Sequence, residues 1–287
     1  MTIRNPVEWG ADFIADLGRA VGAAGHDIYR EDEDAALPLP AIRRLDLSDL
    51  GLVLRRGLRD FAECRTDVIF LCLIYPVIGL VLSRAAMEQA MLPLIFPLAA
   101  GFALIGPLAG IGLYELSRQR EKGASVNWLA ALKVLKSPSI AGILLLGLVL
   151  VTLFFAWQGV AISIYNATLG PQPPASLAAF IHDVLNTPAG LTMTVIGLGV
   201  GFLFALAVLT ISVVSFPMMV DRHVRMDVAV LTSIRVVATN PGVMAAWGLI
   251  VGGLLFLGSL PMFAGLVVVL PVLGHATWHL YRRAVGR

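Results

Sequence analysis

Long apolar stretches separated by short polar loops dominate the chain after residue 67. Six of these stretches are close to, or exceed, the roughly 20 mainly apolar residues that a helix needs to cross a bilayer. The pattern therefore predicts an all-α fold, a polytopic membrane bundle of six transmembrane helices that occupies residues 67–287. The predicted spans cover residues 68–82, 91–113, 140–165, 191–220, 243–260 and 262–281.

Residues 1–66 have a different pattern and form a predicted cytoplasmic N-terminal region. Asn5, Pro6 and Glu8 are typical of a helix N-terminus, and apolar residues follow at helical spacing to about residue 24. The acidic run at residues 31–34 then indicates a solvated linker. A second amphipathic helix, expected to lie along the bilayer, begins near Ser48 with an apolar stripe of Leu47, Leu50, Leu54, Leu58 and Phe61.

Two further amphipathic helices are predicted in the loops between spans, near residues 126–136 and 228–238. Ser125 and Asp227 precede them as candidate caps, and Pro138 and Pro241 follow their last residues. The two segments resemble each other, which fits either an internal duplication or the general pattern of short interfacial helices.

Composition supports a membrane location and excludes several other classes. The hydrophobic residues make up 58% of the chain and the charged residues 14%, which leaves too little polar surface for a soluble globule. A net charge of +2 is too balanced for a nucleic-acid-binding protein. The first expected partner is therefore the lipid bilayer, and nucleic acid is not expected.

The distribution of lysine and arginine predicts the orientation. With the N-terminus in the cytoplasm, 20 of the 21 basic residues fall in cytoplasmic segments and only Arg84 falls outside. Both termini are therefore expected in the cytoplasm. The aromatic residues Tyr114, Trp128, Trp278 and Tyr281 fall at the same interface, where amphipathic rings are common.

Four motifs resemble one bacterial membrane family. They are GPLAGIGLYELSR at residues 106–118, SVVSFPMMVD at 212–221, Asn-Pro-Gly at 240–242, and LPVLGHATWHLYRR at 270–283. Together they resemble the family named domain of unknown function 2189, over a stretch from about Leu45 to the C-terminus. The resemblance implies a six-span protein of the bacterial inner membrane, with no catalytic residues to transfer. Some relatives carry the name cytochrome c oxidase subunit I.

The histidines do not support an oxidase core. Such a subunit needs about six histidine ligands on about twelve helices, and this chain has five histidines. His275 and His279, at i and i+4, remain candidate metal ligands with His223 as a third, although helix-end histidines more often bond a neighbouring carbonyl. No cofactor is expected.

Helix packing and solute passage give two more sets of candidate residues. Pairs of glycines four residues apart allow close approach of helices, within the chain or with another chain: Gly106 and Gly110, Gly197 and Gly201, Gly248 and Gly252. No ionisable residue lies deep in a predicted span, which argues against transport driven by protons or sodium. For an uncoupled pathway, the candidate lining residues are Pro107, Gln158 and Pro217.

No nucleotide-binding, zinc-protease or nucleophile-elbow motif occurs, so an enzyme is not expected. The sequence favours a non-enzymatic accessory or scaffold component of a membrane complex, for which a respiratory complex is one candidate, with an unidentified membrane-protein partner. The alternative is an uncoupled channel or carrier for a neutral or amphipathic solute. A haem- or metal-binding membrane protein is the third hypothesis.

Overall fold

The computed structural model describes residues 40–63, 77, 84, 89–124, 131–261 and 263–286. Within these ranges the structure is helical, apart from one isolated antiparallel bridge between Ile42 and Val285, which confirms the all-α class. Ten α-helices are described: α1 Leu47–Glu63, α2 Ile95–Ala109, α3 Ile111–Glu121, α4 Ile140–Thr168, α5 Leu177–Asn186, α6 Pro188–Ser212, α7 Ser215–Arg222, α8 Met226–Thr239, α9 Pro241–Ser259 and α10 Leu266–Ala284.

Several predicted segments lie outside the described residues. These are the first amphipathic helix, the acidic run at 31–34, the span at 68–82 apart from residue 77, and residues 126–130 of one interfacial helix. The rest of that interfacial helix includes a short 3₁₀ helix at Leu132–Lys136. Its counterpart is α8, which begins at Met226 with Arg225 as the cap residue, so Asp227 is not the cap.

Three segments in the described part of the chain are long and apolar enough to cross a membrane. They are Ile140–Thr168, Pro188–Arg222 and Pro241–Ser259, close to three of the predicted spans. The predicted span 91–113 is instead divided into a 3₁₀ helix at Gln89–Leu94, α2, and the start of α3, with a break at Gly110. The predicted span 262–281 corresponds to α10, whose second half carries two histidines and two arginines.

Helix α1 packs against α10, and its buried face overlaps only partly with the apolar stripe predicted from the sequence. The buried residues include Leu50 and Phe61 from the stripe, together with Val53, Gly57 and Asp60 from outside it. A Cβ at Gly57 would lie 2.7 Å from both the Ala276 nitrogen and the Val272 oxygen, so the two helix backbones approach closely. Leu47 and Leu58 are instead 64% and 54% exposed.

Helices α7, α9 and α10 contribute many residues of the buried core. Residues 215–220 of α7 are all buried, and Trp247 and Trp278 are among the largest fully buried side chains. Tyr114, Trp278 and Tyr281, which the sequence places at the membrane interface, are each at most 2% exposed, so their rings pack within the protein. Trp128 lies outside the described residues.

Candidate functional site

A cluster of buried polar side chains joins α1, α3 and α10 around Asp60. The Asp60 carboxylate lies 2.9 Å from Arg120 Nη1 and 2.9 Å from His279 Nε2. Ser117 Oγ donates to Asp60 Oδ2 at 3.2 Å and lies 2.6 Å from His275 Nδ1. We call these five residues the Asp60 cluster.

The charges around Asp60 favour its ionised form. Burial raises the pKa of Asp60, but the hydrogen bond and charge of His279, together with the charge of Arg120, more than offset this effect. The net pKa therefore lies below its ordinary value of 3.8. A carboxylate with three hydrogen-bond partners on α3 and α10 fixes the position of α1.

Ser117, His275 and Asp60 contain the residue types of a catalytic triad but not its arrangement. Asp60 contacts Ser117 and His279, whereas His275 Nδ1 contacts Ser117 Oγ. In a triad the carboxylate would bond the histidine that faces the serine. Ser117 is also only 3% exposed. These contacts link α1, α3 and α10.

A second cluster joins the ends of α3, α7 and α10 around Asp221. Tyr281 donates its hydroxyl proton to Asp221 Oδ2 at 2.7 Å, and Arg282 Nη1 donates to the same oxygen at 3.1 Å. Arg222 Nε donates to the Tyr281 oxygen at 3.0 Å. Arg282 also bonds Glu121 at 2.7 Å, and the indole N–H of Trp278 donates to Glu121 at 3.2 Å. We call these six residues the Asp221 cluster.

In the Asp221 cluster, burial and hydrogen bonding have opposite effects on the pKa of Glu121. Burial raises the pKa of Glu121, whereas the hydrogen bond and charge of Arg282 and the hydrogen bond from Trp278 lower it, and the net pKa falls below its ordinary value. The carboxylate is therefore ionised at neutral pH and paired with α10.

Beside these clusters, a surface pocket of about 220 Å³ lies between α3, α7, and the 3₁₀ helix at Leu132–Lys136 with the loop that follows it. Glu115 pairs with Arg118 at 2.7 Å, and His223 Nδ1 lies 3.2 Å from Ser137 Oγ. Burial, followed by the charge of Arg118, lowers the pKa of His223 below its ordinary value. The remaining charged lining residues are Lys133 and Lys136.

The three candidate metal ligands are in different surroundings. His275 and His279 belong to the Asp60 cluster, where they bond Ser117 and Asp60, while His223 lies at the turn after α7. Within the described ranges, no group of three or more His, Cys, Asp or Glu residues is placed to hold a metal ion.

The candidate lining residues also lie apart. Gln158 is buried, and its Nε2 donates to the Pro97 oxygen at 3.1 Å, beside the indole N–H of Trp157, which donates to the same oxygen at 3.1 Å. Pro217 is buried in α7, and Pro107 is half-buried in α2. None of the three lines the pocket of about 220 Å³ or a second pocket of about 350 Å³.

The glycine pairs differ in their contacts. A Cβ at Gly201 would meet the Trp157 ring at 3.1 Å, and one at Gly248 would meet Leu209 at 3.4 Å. A Cβ at Gly110 would meet its own helix neighbour Tyr114, whereas Gly106, Gly197 and Gly252 face open space within 4 Å. Close approaches of helix backbones occur instead at Gly190, where a Cβ would overlap the Asp183 oxygen of α5, and at Gly57, and neither position belongs to a predicted glycine pair.

The comparisons with known proteins agree with the membrane character of the fold. Residues 95–221 match the family model described as "Predicted integral membrane protein (DUF2189)", which confirms the family resemblance over a stretch that includes the first two of the four motifs. No curated protein matches the chain, and no solved structure matches it. With three membrane-length apolar helices in its described part, the chain is an integral membrane protein.

Proposed function

We propose that this chain, which matches a family model of integral membrane proteins, has a non-enzymatic accessory or scaffold role in a membrane complex. The proposal places six spans in the inner membrane of a bacterium, with both termini in the cytoplasm. A membrane-protein partner would bind the N-terminal region, which precedes α1.

The observation that carries the proposal is the way in which α1 is fixed to the bundle. Asp60 bonds residues of α3 and α10, and Asp49 at the other end of α1 pairs with Arg283 at 2.5 Å. Leu45 donates its backbone N–H to Asn240 Oδ1 at 2.8 Å. Because α1 is held at both ends, the N-terminal region joins the bundle at a defined position. A scaffold requires such a fixed attachment for the segment that binds its partner.

The use of polar groups also supports a structural role. In both clusters, the ionised side chains are engaged with other helices of the same chain, so their hydrogen bonds contribute to packing. The charged groups of the clusters come from residues 60, 120–121, 221–222 and 279–282, at or beyond the ends of the predicted spans. This placement agrees with one charged, cytoplasmic end of the bundle.

Native mass spectrometry after extraction in a mild detergent tests the proposal. The full chain should be released with another membrane protein, and deletion of residues 1–40 should lower the bound fraction several-fold while the chain stays inserted. The control replaces the exposed Asp227 by Ala, which should leave the complex unchanged. Release of the full chain with lipid alone, or a complex indifferent to the deletion, would contradict the scaffold role.

A further inference from the structure

A basic pocket of about 350 Å³ lies where residues 43–45, α1, and the ends of α3 and α10 meet. None of the residues that line this pocket belongs to the Asp60 cluster. Two carboxylates, Asp49 and Glu121, also line it, which leaves a net formal charge of three positive units. Its arginines are Arg43, Arg44, Arg56, Arg282 and Arg283. We call it the arginine pocket.

The two carboxylates neutralise only two of these arginines. Asp49 pairs with Arg283 at 2.5 Å and Glu121 with Arg282 at 2.7 Å. Within the part of the chain that the structure describes, the guanidinium groups of Arg43, Arg44 and Arg56 have no carboxylate partner. Like charges brought to one pocket repel each other, so an anion bound between them would be stabilised.

The backbone that carries Arg43 and Arg44 is held in place before any ligand binds. The Arg43 N–H donates a hydrogen bond to the Ala284 oxygen at 2.8 Å, and the Arg43 carbonyl accepts a hydrogen bond from Asn240 Nδ2 at 3.2 Å. Gly286 donates to the Ala41 oxygen at 2.8 Å, which completes a short antiparallel contact with the C-terminal segment. A site on a fixed backbone loses less conformational entropy when a ligand binds.

We propose that the arginine pocket binds a phosphate group, carried by an anionic phospholipid or by a soluble phosphate. Guanidinium groups present planar pairs of N–H donors that match phosphate oxygens, whereas a single carboxylate would use few of the donors available here. The volume is at the lower end of the range for ligand sites, which suits one phosphate or headgroup better than a larger molecule. This inference does not depend on the scaffold role.

Matched double substitutions on the full-length protein test the pocket. Arg44→Gln with Arg56→Gln removes two of its unpaired charges, and the control, Arg55→Gln with Arg59→Gln, removes two exposed charges of α1 that do not line it. One arm measures inorganic phosphate binding to protein in neutral detergent by calorimetry. The other measures retention of phosphatidylglycerol against phosphatidylcholine by native mass spectrometry.

At least one phosphate source should bind the parent protein, and the pocket variant should bind it at least about tenfold more weakly, because two charge-assisted contacts are lost. The control variant should change binding by less than about twofold. Binding of phosphatidylglycerol alone identifies a lipid site, and binding of inorganic phosphate alone identifies a soluble ligand. Equal losses in the two variants would indicate attraction to surface charge only and would overturn the proposal.

The acidic run of the chain itself is the competing occupant. A variant with Glu31→Gln, Asp32→Asn, Glu33→Gln and Asp34→Asn distinguishes it from phosphate. The proposal expects this variant to bind phosphate as the parent does. Binding that appears only after these four substitutions would show that the chain fills its own pocket, and would refute phosphate as the native occupant.

Discussion

Asp60→Ala should destabilise the protein strongly, because it removes one acceptor shared by Ser117, Arg120 and His279. Loss of one partner from a buried ion pair costs about 3–5 kcal/mol. The Arg120 and His279 side chains are 24% and 17% exposed, so water replaces part of the lost interaction. We therefore expect a loss of about 3 kcal/mol, at the lower end of that range.

Reversible unfolding in mixed detergent micelles, followed by circular dichroism, measures this loss. Asp227→Ala is the matched control, because it removes a carboxylate that is 61% exposed and pairs with an exposed Arg225. A surface pair of this kind contributes less than about 1 kcal/mol. If the two variants lower the free energy of unfolding equally, the Asp60 cluster does not fix α1 as argued.

The same residue predicts a pH dependence. Because the pKa of Asp60 is lower in the folded protein than its ordinary value of 3.8, its contribution to stability is complete above that value. The contribution is lost as the pH falls through the lower folded pKa. Asp60→Asn should remove this part of the acid destabilisation, while Asp227→Asn should retain it.

The other predictions concern packing, topology and metal content. In the same unfolding assay, Gly57→Ala should destabilise the protein, since the new Cβ would clash with the α10 backbone. The control is Gly51→Ala on the same helix, whose Cβ would meet nothing within 4 Å. It should be neutral or stabilising by about 0.5–1 kcal/mol. A reversed order of stability would refute the α1–α10 contact. A cysteine at Thr168 should react with an impermeant reagent only from outside the cell, and labelling only from the cytoplasm would refute the orientation. Elemental analysis and an absorption spectrum should find no stoichiometric transition metal or haem, and one metal per chain that disappears in His275→Ala would refute this expectation.

Much of the helical architecture could be predicted from hydrophobic pattern alone. The long apolar runs at 140–165 and 243–260 locate a helix to within a few residues, whereas the run at 191–220 contains the separate helices α6 and α7. The bounds failed where polar residues interrupt the run, as in α10, or where a glycine breaks it, as at Gly110. At these points tertiary contacts decide the helix ends.

The clusters were harder to predict, because their residues are distant in the sequence. Asp60 lies outside the apolar stripe predicted for α1, and its partners are 57 to 219 positions away. The Glu115–Arg118 pair, at i and i+3 on one helix face, has a local signal, but it lines the pocket of about 220 Å³ and belongs to neither cluster. Tyr281 and Trp278 were predicted as interfacial rings because ring type and position at a span end do not distinguish a lipid contact from a buried hydrogen bond.

The scaffold role is tested most directly by solute uptake into sealed vesicles that contain the purified protein. Because no ionisable group lies deep in a predicted span, an imposed proton or sodium gradient should drive no accumulation above that of empty vesicles. The measurement uses a panel of labelled neutral and amphipathic solutes, with a known gradient-driven carrier as the positive control. Accumulation of any of these solutes against its own gradient would contradict the scaffold role and identify the protein as a transporter.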